Sequence, residues 1–166
     1  MDQEVMTEPF NSPLETGMRT LTVLAASFPR MHDLGRLVQY DYLVVHSADA
    51  DGPPSLHPPL PLRSGELLVR RGLVERGVQL LMGRGLAKRI LTNEGVHYQA
   101  EEAAGAFLDN LRAPYSLDLQ ARAEWVAETF DELTDVELEG VVNGLFSKWT
   151  AEFQPIESLI SEDDDQ

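Results

Sequence analysis

A mostly α-helical fold with one small β-hairpin is what this sequence predicts, and three observations carry the prediction. Two helix starts are written as capping boxes, Ser12 with Glu15 and Thr134 with Glu137, in which a hydroxyl accepts from the third amide and the carboxylate reaches back. Long stretches place apolar residues three and four apart. Between residues 86 and 100 that period gives way to two short runs, LAKRIL and VHYQA, around a turn containing Asn93 and Gly95. At 166 residues without cysteine, the chain is long enough to bury a core without disulfides.

Taken in order, residues 1–11 are expected to be a flexible N-terminus. Helix one follows from Ser12 as cap and Pro13 at the first helical position, with Leu14, Met18, Leu21, Ala25 and Phe28 at helical spacing and Pro29 as its stop. Asp33 caps a second helix whose apolar stripe is Leu34, Leu37, Val38 and Val45. Asp41 lies on that stripe. A carboxylate there needs a partner, because burying it alone costs several kcal/mol, and Arg63 beyond the loop is one candidate. A third helix runs from about Gly65 to Met82, with Leu67, Val74, Val78 and Leu81 on one face, and Gly72 and Gly77 weaken it by about 1 kcal/mol each. After the hairpin, EEAAGAFLDNL is a helix closed by Pro114. Two more helices follow, one capped by Ser116 with Leu119, Ala123, Val126 and Phe130 on a face. The other carries Leu138, Val142, Leu145, Trp149 and Phe153.

Helix, hairpin and helix in that order describe a winged-helix-like core over residues 12–112, with a proline-rich loop at 48–62 and a wing at 86–99. A C-terminal helical pair at 114–153 and an acidic, disordered tail at 154–166 complete the chain. The helical pair shows enough apolar surface to need cover, from the first half of the chain or from another subunit.

Charge is unevenly divided. Residues 1–60 carry 3 basic and 8 acidic groups, residues 61–116 carry 8 and 6, and residues 117–166 carry 2 and 14, within a total of -15. Only the middle segment suits a phosphate or an acidic surface, and the rest repels a polyanion. No apolar run reaches membrane-spanning length, and the acidic start MDQEVMTEPF is unlike a basic signal peptide, so a soluble cytoplasmic protein is expected.

The stretch HSADADGPPSLHPPLP concentrates the side chains that invite a chemical reading. Ser47, Asp49, Asp51 and Gly52 match the opening of an EF-hand loop, but its twelfth position is Pro58 where a bidentate Glu is required. His46, Asp49, Asp51 and His57 are a conceivable zinc set for a hydrolase, with no HExxH helix to anchor them. There is no Walker lysine, no nucleophile elbow and no Ser beside a histidine that recommends a triad. No catalytic residue, metal or cofactor is therefore expected. Five prolines make the stretch a stiff connector. Arg70 and Arg71 then project about 100 degrees apart on the third helix. They serve either as forks for anionic groups or as a solvated face with pairs such as Arg71 to Glu75.

Over about residues 9–153 the chain resembles the middle component of ABC three-component systems. The resemblance rests on the helix-two pair Asp41 and Tyr42, on His46 and Ser47, and on PPSLHPPLPLRSGELLVRR with Ser55, Leu56, His57, Pro58, Pro61, Arg63, Glu66, Leu67, Arg70 and Arg71. What it implies is a non-enzymatic adaptor subunit of an SMC-like ABC ATPase complex in bacterial defence against phage or plasmid DNA. Such a subunit bridges the ATPase and a nuclease-type effector, an organisation similar to Lamassu-type systems. On that reading His57, Pro58, Pro61, Arg63, Glu66, Arg70 and Arg71 form a partner-docking ridge. DNA is met through the complex, with Arg84, Lys88 and Arg89 as candidate contacts. The alternative is a free-standing winged-helix DNA-binding regulator using the same basic residues.

Overall fold

The computed structural model describes residues 12–59 and 66–160, with side chains described at all of these except Glu66 and residues 149–160. Expectations for residues 1–11, for Pro61 and Arg63, and for residues 161–166 lie outside the described residues. Helix α1 (Pro13–Ser27) begins as its sequence dictates, with Ser12 Oγ accepting from Glu15 N at 3.2 Å. Its packing differs from a single apolar stripe. Leu21 is fully buried, but Leu14 is 65% and Phe28 53% exposed, while Thr16, Arg19, Thr20, Val23 and Leu24 are buried. The helix lies among the other helices rather than on their surface, touching α2 (Leu34–Val45), α3 (Glu66–Gly83) and α5 (Pro114–Phe130), so several of its sides are covered. Its buried hydroxyls are satisfied locally: Thr20 Oγ1 donates to Thr16 O at 2.8 Å and Thr22 Oγ1 to Met18 O at 2.7 Å.

A strand that periodicity does not reveal, β1 (His32–Asp33), precedes α2. It joins the hairpin of β2 (Ala87–Thr92) and β3 (Gly95–Ala100) to make an antiparallel sheet of order β1-β3-β2, with His32 opposite Tyr98 and Arg89 opposite Tyr98 from the other side. Asp33 ends the strand and caps α2, its Oδ1 accepting from Arg36 N at 2.8 Å. At the hairpin turn Gly95 takes φ 119°, a conformation closed to most side chains, and Thr92 Oγ1 donates to Gly95 O at 3.1 Å.

The glycine at 77 has a packing reason. A Cβ there would stand 2.8 Å from Gly17 N, so α1 and α3 cross backbone against backbone. The helix-breaking tendency of Gly77 is offset by that close approach. After α4 (Ala103–Asp109), α5 starts at Pro114, which opens this helix rather than closing the previous one, and Ser116, the expected cap, lies inside the first turn. The capping box at Thr134 forms, with Glu137 N donating to Thr134 Oγ1 at 3.2 Å, and α6 (Asp135–Ile160) runs beyond residue 153.

The helical pair is covered by the first half of the chain. Leu119, Ala123, Val126, Phe130, Leu138 and Val142 belong to the same core cluster as Leu21, Leu37, Leu43, Val74 and Val78, each contributing about 1.5–3 kcal/mol for a large apolar side chain. Polar ties fasten the α5–α6 turn to α2: Arg36 donates to Asp135 Oδ1 at 2.9 Å and to Phe130 O at 2.6 Å, and Tyr40 OH donates to Asp131 Oδ1 at 2.8 Å. The molecule is thus mostly helical with one small antiparallel sheet, as the sequence predicts.

Candidate docking site

The proline-rich loop is anchored from beneath by a buried ion cluster. Asp41, 2% exposed on α2, accepts from Arg19 Nε at 2.8 Å and Nη2 at 3.3 Å, and from Arg70 Nη1 at 2.7 Å. Burial works to raise its carboxyl pKa, yet the charges of Arg19 and Arg70 and their hydrogen bonds outweigh burial and hold it below the usual carboxylate value. Asp41 is therefore an ionised internal counterion. The partner suggested from sequence, Arg63, lies outside the described residues, and the two arginines that do the work come from α1 and α3.

Arg70 sits over the Tyr42 ring at 5.5 Å from its centroid and is 4% exposed. This corrects its expected place on an outward ridge, because the chain itself uses its guanidinium. Arg71, one residue on, is exposed, and it forms no ion pair with a described residue, including Glu75.

Above the cluster, α2 ends at His46 and the chain turns through a 3-10 turn, Ser47–Ala50, with Asp51 in the left-handed region at φ 58°. The EF-hand-like spacing is put to other ends. Ser47 Oγ donates to Pro53 O at 2.8 Å, the Tyr42 hydroxyl donates to Asp49, and Ser55 Oγ accepts from Ala48 N at 3.0 Å. Gly52 lies flat against Trp125, where a Cβ would come within 2.3 Å of the indole. The backbone amides of Leu56 and His57 both donate to Val45 O, at 3.0 and 3.1 Å.

Helix α5 straps the loop from its far side: Arg122 Nε donates to Pro54 O at 2.9 Å, and the His57 ring stacks on Tyr115 with Nε2 2.8 Å from the hydroxyl. Among the described residues no group of three or more His, Asp or Glu is placed to hold a metal ion. His46 is buried against Tyr42 at 4.8 Å between ring centroids and His57 at 6.2 Å. Burial, aided by Arg70, lowers the His46 pKa to about 4, and burial with Arg19 does the same to His57. Both are neutral near neutral pH.

The outward surface consists of Pro54, Pro58, Pro59 and the first turns of α3, where Leu68 is 74% and Val69 66% exposed beside Arg71. Arg84, Lys88 and Arg89 are exposed on the α3–β2 link and β2. Pro61 and Arg63 fall outside the described residues, as does the side chain of Glu66. Sequence reasoning missed Arg19, Tyr115, Arg122 and Trp125. A signal existed for the first: a core-facing Asp41 demands a cation, and residues 1–60 supply only Arg19, Arg30 and Arg36.

The residues that lock the loop, Asp41, Tyr42, His46, Ser47, Ser55, Leu56, His57 and Arg70, fall within residues 9–152, the span matched by a family model described as ABC-three component (ABC-3C) system Middle Component 2. The chain belongs to that family. No curated protein and no solved structure matches it. As a Middle Component 2, it is one component of a multi-component system, and no helix among its described residues is long and apolar enough to cross a membrane. Within this middle component the signature is thus largely internal: it fixes the loop's shape and leaves the prolines and the start of α3 facing outward.

Proposed function

We propose that this middle component is a non-catalytic adaptor that joins an SMC-like ABC ATPase to a nuclease-type effector in bacterial defence against phage or plasmid DNA, as in Lamassu-type systems. The observation that carries the reading is the exposure of Leu68 and Val69 at the start of α3, next to a loop immobilised by its own hydrogen bonds. Adjacent large aliphatic side chains left that open suit a protein partner, because interface centres are apolar and preorganised surfaces bind at lower entropic cost. The docking ridge comprises His57, Pro58, Leu68, Val69 and Arg71, while Arg70 supports it from within; Pro61, Arg63 and Glu66 are proposed from the sequence alone to bind the same partner.

The element order α1-β1-α2-α3-β2-β3 supports a winged-helix reading. In that fold α3 occupies the recognition position, and here its exposed apolar residues favour protein over a DNA groove. Direct DNA contact by Arg84, Lys88 and Arg89, all exposed, is the second reading. It fits best within an assembly, since the chain's net charge is -15.

Co-expression with the products of the neighbouring genes, followed by affinity purification through this chain, tests the adaptor reading. Copurification of the ATPase or the effector is the expected result. Purification of this chain free of both would overturn it.

A further inference from the structure

Helix α3 is apolar on two sides. Val74, Val78 and Leu81 enter the core, while Val69, Leu73, Arg76, Leu80 and Arg84 follow one another at four, three, four and four residues and so share a second face. That face is open: Val69, Arg76, Leu80 and Arg84 are exposed and Leu73 is half-buried. Gly72 leaves a notch beside it, where an added Cβ would meet nothing nearer than the Arg76 guanidinium at 3.6 Å, and Arg76 Nε donates to Gly72 O at 3.2 Å. At the far end Leu80 and Arg84 line a cleft of about 260 Å³ together with Leu14, Leu86 and Phe107, and Leu14 and Phe107 are themselves exposed. The charges on the stripe have one sign. Neither Arg76 nor Arg84 makes an ion pair with a described residue.

We infer, resting on the adaptor role proposed above, that this face of α3 seats an amphipathic α-helix of the partner protein, apolar where it meets Val69, Leu73 and Leu80 and carrying Asp or Glu toward Arg76 and Arg84. Shape favours a helix. From Val69 to Arg84 the stripe spans about 22 Å, about four helical turns, and the ridges of a second helix repeat at the same spacing and settle between those of α3. The Gly72 notch lets the two backbones come close, and the cleft beyond Leu80 takes one large apolar side chain as an anchor. An extended segment would instead need an open sheet edge to pair with. Charge decides among the other occupants. A second copy presenting the same face would set these arginines against their own kind. Duplex DNA would bury Val69, Leu73 and Leu80 against phosphate and sugar, with no apolar surface to match them. An acidic helix answers both features, and because the chain as a whole carries -15 it is steered to this basic stripe and away from the rest.

The test uses the co-expressed assembly. A photo-crosslinking p-benzoylphenylalanine, placed singly at Val69 and at Leu80, is expected to link in both cases to one partner segment that is apolar at every third and fourth residue and carries Asp or Glu beside that stripe. The two linked sites should lie about 11 residues apart, the separation of Val69 and Leu80 on α3. The same group at Val136, which is 79% exposed at the start of α6, is the control and should not reach that segment. An assembly that forms but links through a loop, a strand or a basic segment, through a second copy of this chain, or to DNA overturns the inference and leaves the adaptor role standing. Failure of any complex to form overturns both. Arg76→Glu with Arg84→Glu gives an independent reading, since both side chains are exposed and the fold should persist in thermal unfolding. Copurified partner is expected to fall by about tenfold or more and to recover when the acids of the linked segment are changed to Lys. Unchanged copurification of the double variant overturns the inference.

Discussion

Asp41 shows how one carboxylate ties three helices together, since its two oxygens are taken by Arg19 of α1 and Arg70 of α3. Removing it with Asp41→Ala leaves two guanidinium groups buried without their counterion, and the expected loss is about 3–5 kcal/mol, read as a fall in the urea midpoint. Arg70→Glu should likewise unfold the chain, whereas Arg71→Glu should shift stability by under about 0.5 kcal/mol, because Arg71 is exposed. The contrast between adjacent residues separates scaffold from surface. His46 predicts a pH dependence. Its pKa of about 4 in the folded chain lies below the ordinary value of about 6.5 in the unfolded one, so the unfolded chain binds more protons between these values. Stability is then full above about pH 6.5 and falls by about 3 kcal/mol toward pH 4. His46→Phe should reduce that slope in urea titrations at several pH values, leaving the part that His57 contributes over the same window, and an unchanged slope would assign the loss to other groups. The lowered carboxyl of Asp41 acts in a separate window, its stabilisation being lost as the pH falls through its own folded pKa, below the ordinary carboxylate value.

Among the elements, close backbone approach decides what can change. Gly77→Ala places a methyl 2.8 Å from Gly17 N, and Gly52→Ala places one 2.3 Å from Trp125, so each should cost about 1–3 kcal/mol as the neighbours are forced apart. Gly140→Ala, in an exposed part of α6 with nothing within 4 Å of the new methyl, should instead stabilise by up to about 1 kcal/mol. Thermal unfolding of the three variants checks both signs. The elements themselves were legible to different degrees for physical reasons. The caps at Ser12, Asp33 and Thr134 depend on side chains a few residues apart, and all three form. Strand β1, at two residues, is too short to show a period, and its partner is remote in sequence. The α1 stripe misleads because a helix covered on several sides has no single wet face, and Pro114 suits a helix stop as well as the N1 position it occupies. In the candidate site the need of Asp41 for a cation was legible, but the clamp from Tyr115, Arg122 and Trp125 depends on α5 folding back over a loop far from it in sequence.

For the whole molecule, segregation of surface types sets the binding predictions. Leu68→Glu together with Val69→Glu should abolish copurification with the partner subunits while leaving the unfolding temperature within a few degrees, because both side chains are solvated in the free chain. Loss of folding in that variant would show that α3 needs those residues for its own packing. The isolated chain should bind duplex DNA weakly at physiological salt, since acidic groups outnumber basic ones 28 to 13. A salt-titrated binding isotherm measures this directly. The packing of Gly52 against Trp125 gives the molecule an optical property besides a structural one. Indole emission reports local polarity, and the ring is now capped by the loop it holds in place. A partner that docks on the preorganised loop leaves this cap in place and the Trp125 emission unshifted, whereas displacement of the loop lets water reach the ring and moves its emission to longer wavelength.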